Sequence, residues 1–190
     1  MTVFIDRLFA VIWLAWAAFW ALNAWKLKPP KRRESLASRL GHLLPLGAAA
    51  ILLAWPAAPD SWLSRRWMPA SAGWALAGAG ITILGLLLTV WARLLLGANW
   101  SGTVTVKQGH ELVLAGPYRY VRHPIYSGLL LAFAGSALAR GDGAGLLALL
   151  IVWLSLWRKW RLEERFMRET FGPAYSDYAA RTPPIIPRIF

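Results

Sequence analysis

The sequence contains no cysteine among its 190 residues, and this absence removes three kinds of chemistry. Disulfide bridges, thiolate metal sites and cysteine nucleophiles are all excluded. Histidine is also scarce: His42, His110 and His123 lie far apart along the chain with no carboxylate at ligand spacing, so we expect no metal site. No Walker loop and no G-x-S-x-G motif is present, and the G-x-G at 78–80 has Ile83 where a dinucleotide-binding fingerprint needs its third glycine.

Acidic residues are few, with nine Asp and Glu against 21 Lys and Arg, so the net charge is +12. Such a balance is typical of nucleic-acid-binding proteins when the charges form one face interleaved with stacking aromatics. Here the charges lie between long apolar runs, and 57% of the residues are hydrophobic. Lipid is the natural solvent for such runs. We therefore predict a membrane protein that binds membrane lipids and no nucleic acid.

Five apolar runs predict an all-α, polytopic membrane protein with about five transmembrane helices. The runs cover about 4–25, 40–55, 69–96, 124–139 and 143–157. A bilayer core of ~30 Å needs ~20 helical residues to cross it. The second, fourth and fifth runs are short by this measure, so they could form a tight hairpin or partly sunken helices.

Basic residues alternate between the connecting segments. They concentrate at 26–39, between the third and fourth runs, and in the tail after residue 157, whereas the other connections are nearly neutral. The positive-inside rule then predicts an N-terminus outside the membrane and three basic segments in the cytoplasm. A cleaved signal peptide is the alternative for the first run, but its positive flank follows the run and no small-x-small cleavage site comes after it.

Polar residues concentrate in the irregular segment 97–123, just before the fourth run. Non-helical backbone at the edge of a bilayer is tolerated where protein buries it or where it lines a cavity. Pro124 suits the first turn of a helix, which places His123 at the helix start and Tyr126 just inside it. The free N–H groups at such a start favour an anionic or carbonyl-bearing ligand group. The alternative is a plain capped helix start with polar side chains at the headgroups.

A second polar cluster follows the fifth run, around the adjacent carboxylates Glu163 and Glu164. Neighbouring residues on a helix diverge by about 100°, so these two do not form a paired dyad of catalytic carboxylates. Glu163 comes four residues after Lys159, and Glu164 four before Arg168. The alternative is an interfacial helix whose charges form ion pairs with one another.

Together the two clusters resemble the isoprenylcysteine carboxyl methyltransferase family and its bacterial relatives, which overlap with phospholipid N-methyltransferases. The resemblance covers roughly residues 97–187. The matching residues are His110 to Val113, Gly116-Pro117-Tyr118, Arg122-His123-Pro124-Ile125-Tyr126-Ser127-Gly128, Glu163-Glu164, and then Phe171, Gly172, Tyr175, Tyr178, Arg181 and Pro183.

This resemblance implies an enzyme that transfers a methyl group from S-adenosylmethionine to a lipophilic or lipidated acceptor, with the carboxylate of an isoprenylcysteine-like substrate as first expectation. It implies a multi-pass protein of a bacterial inner membrane, with its active site facing the cytoplasm. The chain would divide into N-terminal transmembrane helices 1–3 with a basic loop at 1–96 and a catalytic region at 97–190. That region would hold a cofactor loop, helices 4 and 5 and an interfacial C-terminal helix.

The resemblance also assigns the site residues. Those implied to contact the cofactor are His110, Leu112, Val113, Tyr118, His123, Pro124, Tyr126, Glu163 and Glu164. On the substrate side Lys159 stands where the family has an arginine, and Arg158 or Arg161 could take over that function. Lys159 and Arg161 would position a carboxylate acceptor, and His123 would take the proton of a phenol, thiol or amine acceptor.

Two other functions stay open at this point. One is an NADPH-dependent membrane reductase of the sterol-reductase type, which has similar C-terminal helices. The other is a non-catalytic membrane protein that binds lipid.

Overall fold

The computed structural model describes residues 2–24, 30–100, 105–107 and 111–187. Its helices are α1 (Thr2–Leu22), α2 (Leu36–Ala54), α3 (Ala72–Leu96), α4 (Pro124–Arg140), α5 (Gly143–Phe171) and α6 (Pro173–Arg181). The short strands β1 (Pro30–Arg33) and β2 (Thr105–Lys107) pair antiparallel and join the loops that follow α1 and α3. The predicted all-α membrane fold is confirmed, with this small ribbon added to it.

Within the described ranges, the four helices α1, α2, α3 and α5 are long and apolar enough to cross a bilayer. Helix α4 has 17 residues and so extends only about 25 Å at ~1.5 Å per residue. It forms a hairpin with α5, closed by Gly141 in the left-handed conformation and by Asp142, whose carboxylate accepts a hydrogen bond from Gly145 N at 3.0 Å. The fourth and fifth apolar runs therefore form a tight hairpin, which is one of the two arrangements that their short length suggested.

Helix α5 continues well beyond the apolar run that predicted it. The run ends near 157, but the helix extends to Phe171 and so carries Glu163 and Glu164 on the membrane helix itself. From Leu146 to Phe171 the sequence contains no Pro or Gly and many good helix formers. Gly172, with φ of 54°, then ends α5, and Pro173 begins α6. The separate C-terminal helix is thus only the nine-residue α6.

Small residues let α3 and α4 pack closely against each other. A Cβ added to Gly85 of α3 would lie 2.5 Å from the carbonyl oxygen of Gly128 on α4. One layer away, the hydroxyls of Thr82 and Ser136 hydrogen-bond across the interface at 3.2 Å. Membrane helices associate mainly through such close backbone approach and interhelical hydrogen bonds, since lipid gives them little hydrophobic reason to meet.

Substituting Gly85 with alanine is expected to destabilise the protein, because the new methyl group would force α3 and α4 apart at a cost of about 1–3 kcal/mol. Gly80 lies on the same helix with no atom near its added Cβ, so Gly80→Ala is the matched control. Alanine there should be neutral or slightly stabilising, by about 0.5–1 kcal/mol. Thermal unfolding in detergent measures both, and equal melting temperatures for the two variants would contradict this packing.

The N-terminal helices pack directly on the C-terminal hairpin. The indole of Trp13 on α1 donates to Ser136 Oγ of α4 at 3.2 Å, while that of Trp16 joins α1 to α3 by donating to Thr89 Oγ1 at 2.7 Å. Helix α2 lies along α5, where Ser155 Oγ donates to His42 O at 3.0 Å. The residues before 97 therefore form part of the surroundings of the polar clusters.

Candidate active site

The two polar clusters of the sequence meet at the start of α4. His123 precedes the helix as its N-cap residue, and its imidazole is 9% exposed. Its Nδ1 lies 3.6 Å from Glu163 Oε2 and its Nε2 lies 3.2 Å from Glu164 Oε1. The adjacent carboxylates diverge on α5, as predicted, and the imidazole ring is wide enough to reach both of them.

Arg122 anchors Glu164 from the other side. Its Nε and Nη2 lie 2.8 and 2.7 Å from Glu164 Oε1, and Arg168 approaches Glu164 Oε2 at 3.2 Å. Arg122 Nη1 also donates to the carbonyls of Ala179, at 2.8 Å, and Thr182. Glu164 is thereby surrounded by cations, and Arg122 ties α5 to the end of α6. Arg122 belongs to the matching motif, but the resemblance assigns it no function.

The chain after α6 returns to the same point. The backbone N–H groups of Arg122 and His123 donate to the carbonyls of Pro183 and Pro184, both at 2.9 Å. Ser127 Oγ on α4 donates to Ile185 O at 2.5 Å. These bonds fix His123 through its backbone as well as through its ring, so its position is set before any ligand binds.

The surroundings of His123 favour its protonated form. Burial by itself lowers the pKa of the imidazole, but the hydrogen bonds and charges of Glu163 and Glu164 outweigh burial, and the net result is a raised pKa. The ring also lies nearly parallel to that of Tyr126, with centroids 5.4 Å apart. Both ring nitrogens of His123 already face carboxylates, so this geometry favours an orienting function for His123.

The raised pKa of His123 makes stability depend on pH. A histidine whose folded pKa exceeds its unfolded value of ~6.5 stabilises the fold fully below that value and loses the contribution as pH rises through the folded pKa. The wild-type melting temperature should therefore fall between pH 6 and 9 relative to that of His123→Gln, by about 2–4 °C per kcal/mol lost. If the melting temperatures of the two proteins change with pH in the same way across this range, the raised pKa of His123 would be contradicted.

A cavity of about 270 Å³ opens beside this cluster. Its polar wall includes Arg122, His123, Tyr126, Lys159 and Glu163, and its apolar wall includes Trp16, Trp20, Leu46, Trp100, Leu112 and Val113. Among the side chains within the described ranges, no group of three or more His, Asp and Glu residues could hold a metal ion. The cavity therefore offers a charged side and an aromatic side to an organic ligand.

Glu163 faces this cavity, and each of its two carboxylate oxygens has its own neighbour. Tyr126 OH donates to Glu163 Oε1 at 2.5 Å, while Oε2 faces His123. Lys159, one turn earlier on α5, is 8% exposed and lies with Nζ 5.4 Å from the centroid of the Tyr126 ring. The Glu163 carboxylate at the hydroxyl of Tyr126 and the Lys159 ammonium group over its ring thus both belong to the wall of the cavity.

The two tyrosines of α6 close the cavity from the side of the tail. Tyr178 OH donates to Tyr118 O at 2.6 Å, and burial raises the pKa of Tyr178 to about 12. Tyr175 packs edge-on against Tyr178, with ring centroids 6.0 Å apart. The spaced tyrosines of the sequence motif therefore join α6 to the loop that precedes α4.

The residues predicted from the resemblance divide into four groups. Those that line the cavity are Leu112, Val113, Tyr118, His123, Tyr126, Lys159 and Glu163. Pro124 and Glu164 are buried beside it without contributing to its wall. Arg161 is exposed and its guanidinium lies 5.2 Å from the Trp157 ring centroid, so it points away from the cavity. His110 lies outside the described residues.

Sequence reasoning missed the contribution of the N-terminal half. Trp16 and Trp20 of α1 and Leu46 of α2 line the cavity together with the predicted residues. The resemblance covers only 97–187, and Trp16 and Trp20 read as two of many tryptophans in an apolar run. Nothing in the sequence distinguishes the tryptophans that face a cavity from those that face lipid.

Comparison with known proteins gives several methyltransferases among the relatives of this chain. The chain is 29% identical over 119 residues to protein-S-isoprenylcysteine O-methyltransferase B of Arabidopsis thaliana, which covers 60% of each protein. It is 33% identical over 113 residues to the Schizosaccharomyces pombe protein-S-isoprenylcysteine O-methyltransferase, covering 58% of this chain and 48% of that one. With methanethiol S-methyltransferase 2 of Bradyrhizobium diazoefficiens it shares 39% identity over 74 residues, or 38% and 27% of the two chains.

The aligned regions cover only part of each relative. The chain spans about half to three fifths of the length of the first two of these proteins. The profile of the phospholipid methyltransferase family, by contrast, matches residues 74–174, which is more than half of this chain and contains both polar clusters. The predicted resemblance is confirmed: the chain belongs to the phospholipid methyltransferase family, which it joins as a relative of the isoprenylcysteine methyltransferases.

Proposed function

We propose that the protein transfers the methyl group of S-adenosylmethionine to a lipophilic acceptor at the membrane. The observation that carries this proposal is the meeting of His123 with Glu163 on the wall of one cavity, which joins the loop before α4 to the charged end of α5. Family membership supports the reaction type, and the two isoprenylcysteine methyltransferase relatives support a lipophilic acceptor.

The cavity fits the chemistry of the cofactor. S-adenosylmethionine carries a sulfonium and an ammonium group, and cations bind carboxylates and aromatic faces. Glu163 offers the carboxylate and Tyr126 the aromatic face. Leu112 and Val113 offer an apolar surface against which a base could pack, and we propose that His110 belongs to the same loop contact. We assign Tyr118, Pro124 and Glu164 the task of holding these groups in place.

The cofactor supplies a methyl group on a sulfonium, which is already an excellent leaving group. The protein therefore needs to align the two reactants and exclude water more than it needs to move protons. The buried cluster around His123 supplies alignment, since Arg122, the chain after α6 and both carboxylates fix its position. Trp16, Trp20 and Trp100 line the same cavity, and we assign them the exclusion of water.

Lys159 is the residue best placed to hold the acceptor. Its ammonium group lies on the cavity wall near Tyr126, where it can bind an ionised carboxylate that is itself the nucleophile. This arrangement favours a carboxylate acceptor over one that must lose a proton, because both ring nitrogens of His123 already face carboxylates. Arg161 stays a candidate for guiding the acceptor from outside the cavity.

An apolar tail of the acceptor has space in the bundle. A second cavity of about 980 Å³ lies between α1, α2 and α4, and it shares Trp16, Leu46 and Leu129 with the first. Most of its wall is apolar, including Phe9 and Phe133. Lipophilic acceptors could enter from the membrane while the cofactor enters from the cytoplasm, which is the side to which the basic segments assign the active site.

Methyl transfer is tested directly with tritiated S-adenosylmethionine. The purified protein should transfer label to an organic-soluble product when given S-prenylated N-acetylcysteine, or to a lipid when given a membrane extract. Thermal shifts with S-adenosylhomocysteine and with NADPH form the comparison. Stabilisation by NADPH alone would indicate the reductase alternative, and binding of neither with no transfer would indicate a non-catalytic lipid-binding protein.

A further inference from the structure

His42 is a buried polar residue that neither the family resemblance nor the cavity wall explains. It is 0% exposed, and neither of its ring nitrogens has a hydrogen-bond partner among the described residues. Buried polar side chains are nearly always hydrogen-bonded, so each exception needs a physical or functional reason. The groups around His42 in the second turn of α2 give that reason.

His42 lies against the segment of α5 that leads to the proposed active site. Its carbonyl accepts the hydrogen bond of Ser155, and Lys159 follows Ser155 by one helical turn. A Cβ added to the neighbouring Gly41 would lie 3.0 Å from the guanidinium of Arg158. Helix α2 therefore packs closely on the part of α5 where Lys159 enters the cavity wall.

Glu34 brings a carboxylate to the same place. Its side chain is 2% exposed, and its Oε1 lies 3.4 Å from His42 Nε2. Ser38 Oγ donates to its other oxygen at 2.8 Å, which fixes the carboxylate at the start of α2. Glu34 and His42 thus lie together where α2 packs on Ser155 of α5, one helical turn before Lys159.

A lysine side chain depends on neighbouring groups for its orientation more than an arginine side chain does. An ammonium group is a compact charge on a flexible stem with four rotatable bonds, whereas a guanidinium is a rigid fork that orients itself on a carboxylate. A lysine that binds a ligand in one direction must be held there by neighbouring groups. Lys159 is buried, lies on Tyr126, and follows the helix face on which α2 packs.

We propose that Glu34 and His42 are positioning residues that hold Lys159 toward the cavity and so set the affinity for an anionic acceptor. This inference rests on the proposed methyltransferase function. It assigns the N-terminal half of the chain a part in acceptor recognition, through a carboxylate and an imidazole that touch neither cofactor nor acceptor.

The kinetic test compares Glu34→Gln and His42→Phe with wild type, using S-prenylated N-acetylcysteine as the acceptor. We expect KM for the acceptor to rise about tenfold, because coupled charged neighbours typically interact at this level. The affinity for S-adenosylhomocysteine should stay within about twofold of wild type. In a Lys159→Met background, Glu34→Gln should have almost no further effect. Glu169→Gln, which changes an exposed carboxylate of α5, is the matched control.

Several results would overturn the proposal. The first is an unchanged KM in both variants. The second is a parallel fall of acceptor and cofactor affinity, as expected for a merely structural pair. The third is an effect of Glu34→Gln that persists in full without Lys159. Thermal unfolding of wild type, Glu34→Gln, Lys159→Met and the double variant adds a test that needs no turnover. The stability losses of the two single variants should be non-additive. Additive losses would overturn the coupling, whereas a wild type that binds no S-adenosylhomocysteine would overturn the proposed function instead.

Discussion

Replacing Arg122 with methionine is expected to cost about 3–5 kcal/mol of stability, because it leaves the Glu164 carboxylate buried without its closest cation. The side chains of Arg122 and Glu164 are only 10% and 9% exposed, so water cannot take over the lost bonds. The same change removes the bonds from Arg122 to the end of α6. A protein of this length should then melt roughly 6–20 °C lower in detergent.

Two control variants show whether the stability loss of Arg122→Met comes from the uncompensated charge of Glu164. Arg119 is exposed and lies three residues earlier in the same segment, so Arg119→Met should change the melting temperature little. Adding Glu164→Gln to Arg122→Met should recover part of the loss, because the uncompensated charge is then gone. An Arg122→Met protein as stable as wild type would mean that this ion pair does not hold the clusters together.

Replacing Glu163 with glutamine should reduce cofactor affinity more than any other single change in the cavity wall. Glutamine keeps the size of the side chain and can still accept the hydrogen bond of Tyr126 OH. It loses the charge, and hydrogen bonds to charged groups contribute about 1.5–3 kcal/mol, which corresponds to about 10–150-fold in affinity. Calorimetric titration with S-adenosylhomocysteine measures this loss.

Glu169→Gln supplies the control for the loss of one negative charge from α5, since Glu169 is exposed and outside the cavity. Its affinity for S-adenosylhomocysteine should equal that of wild type. If Glu163→Gln binds as tightly as Glu169→Gln, the carboxylate does not hold the cationic part of the cofactor. The assignment of Glu163 would then have to be abandoned even if methyl transfer persists.

The fold was predictable because lipid imposes simple length and composition rules. Apolar runs marked α1, α2, α3 and the α4–α5 hairpin, and Pro124 marked the start of α4 within one residue. The run length could not give the true end of α5, because its charged continuation has the helix-forming composition of an interfacial helix. The pairing of β1 with β2 was also beyond reach, since short polar strands carry little hydrophobic pattern.

The site was predictable only where motif and helix geometry acted together. His123 and the two glutamates carried the resemblance, and the structure brings all three into contact. Arg122 stood in the motif, but its bonds to the end of α6 depend on how the tail folds back. The same holds for Trp20 and His42, whose neighbours come from helices far away in sequence. Contacts between distant helices have no local signature.

The central claim is that the loop before α4 and the charged end of α5 enclose one cofactor together. Hydrogen exchange with mass spectrometry, with and without S-adenosylhomocysteine, measures this most directly. The account predicts protection of peptides covering 112–126 and 159–167 in the same titration, with no change in the linker between α2 and α3. Protection of only one of the two segments, or of neither at saturating ligand, would contradict it.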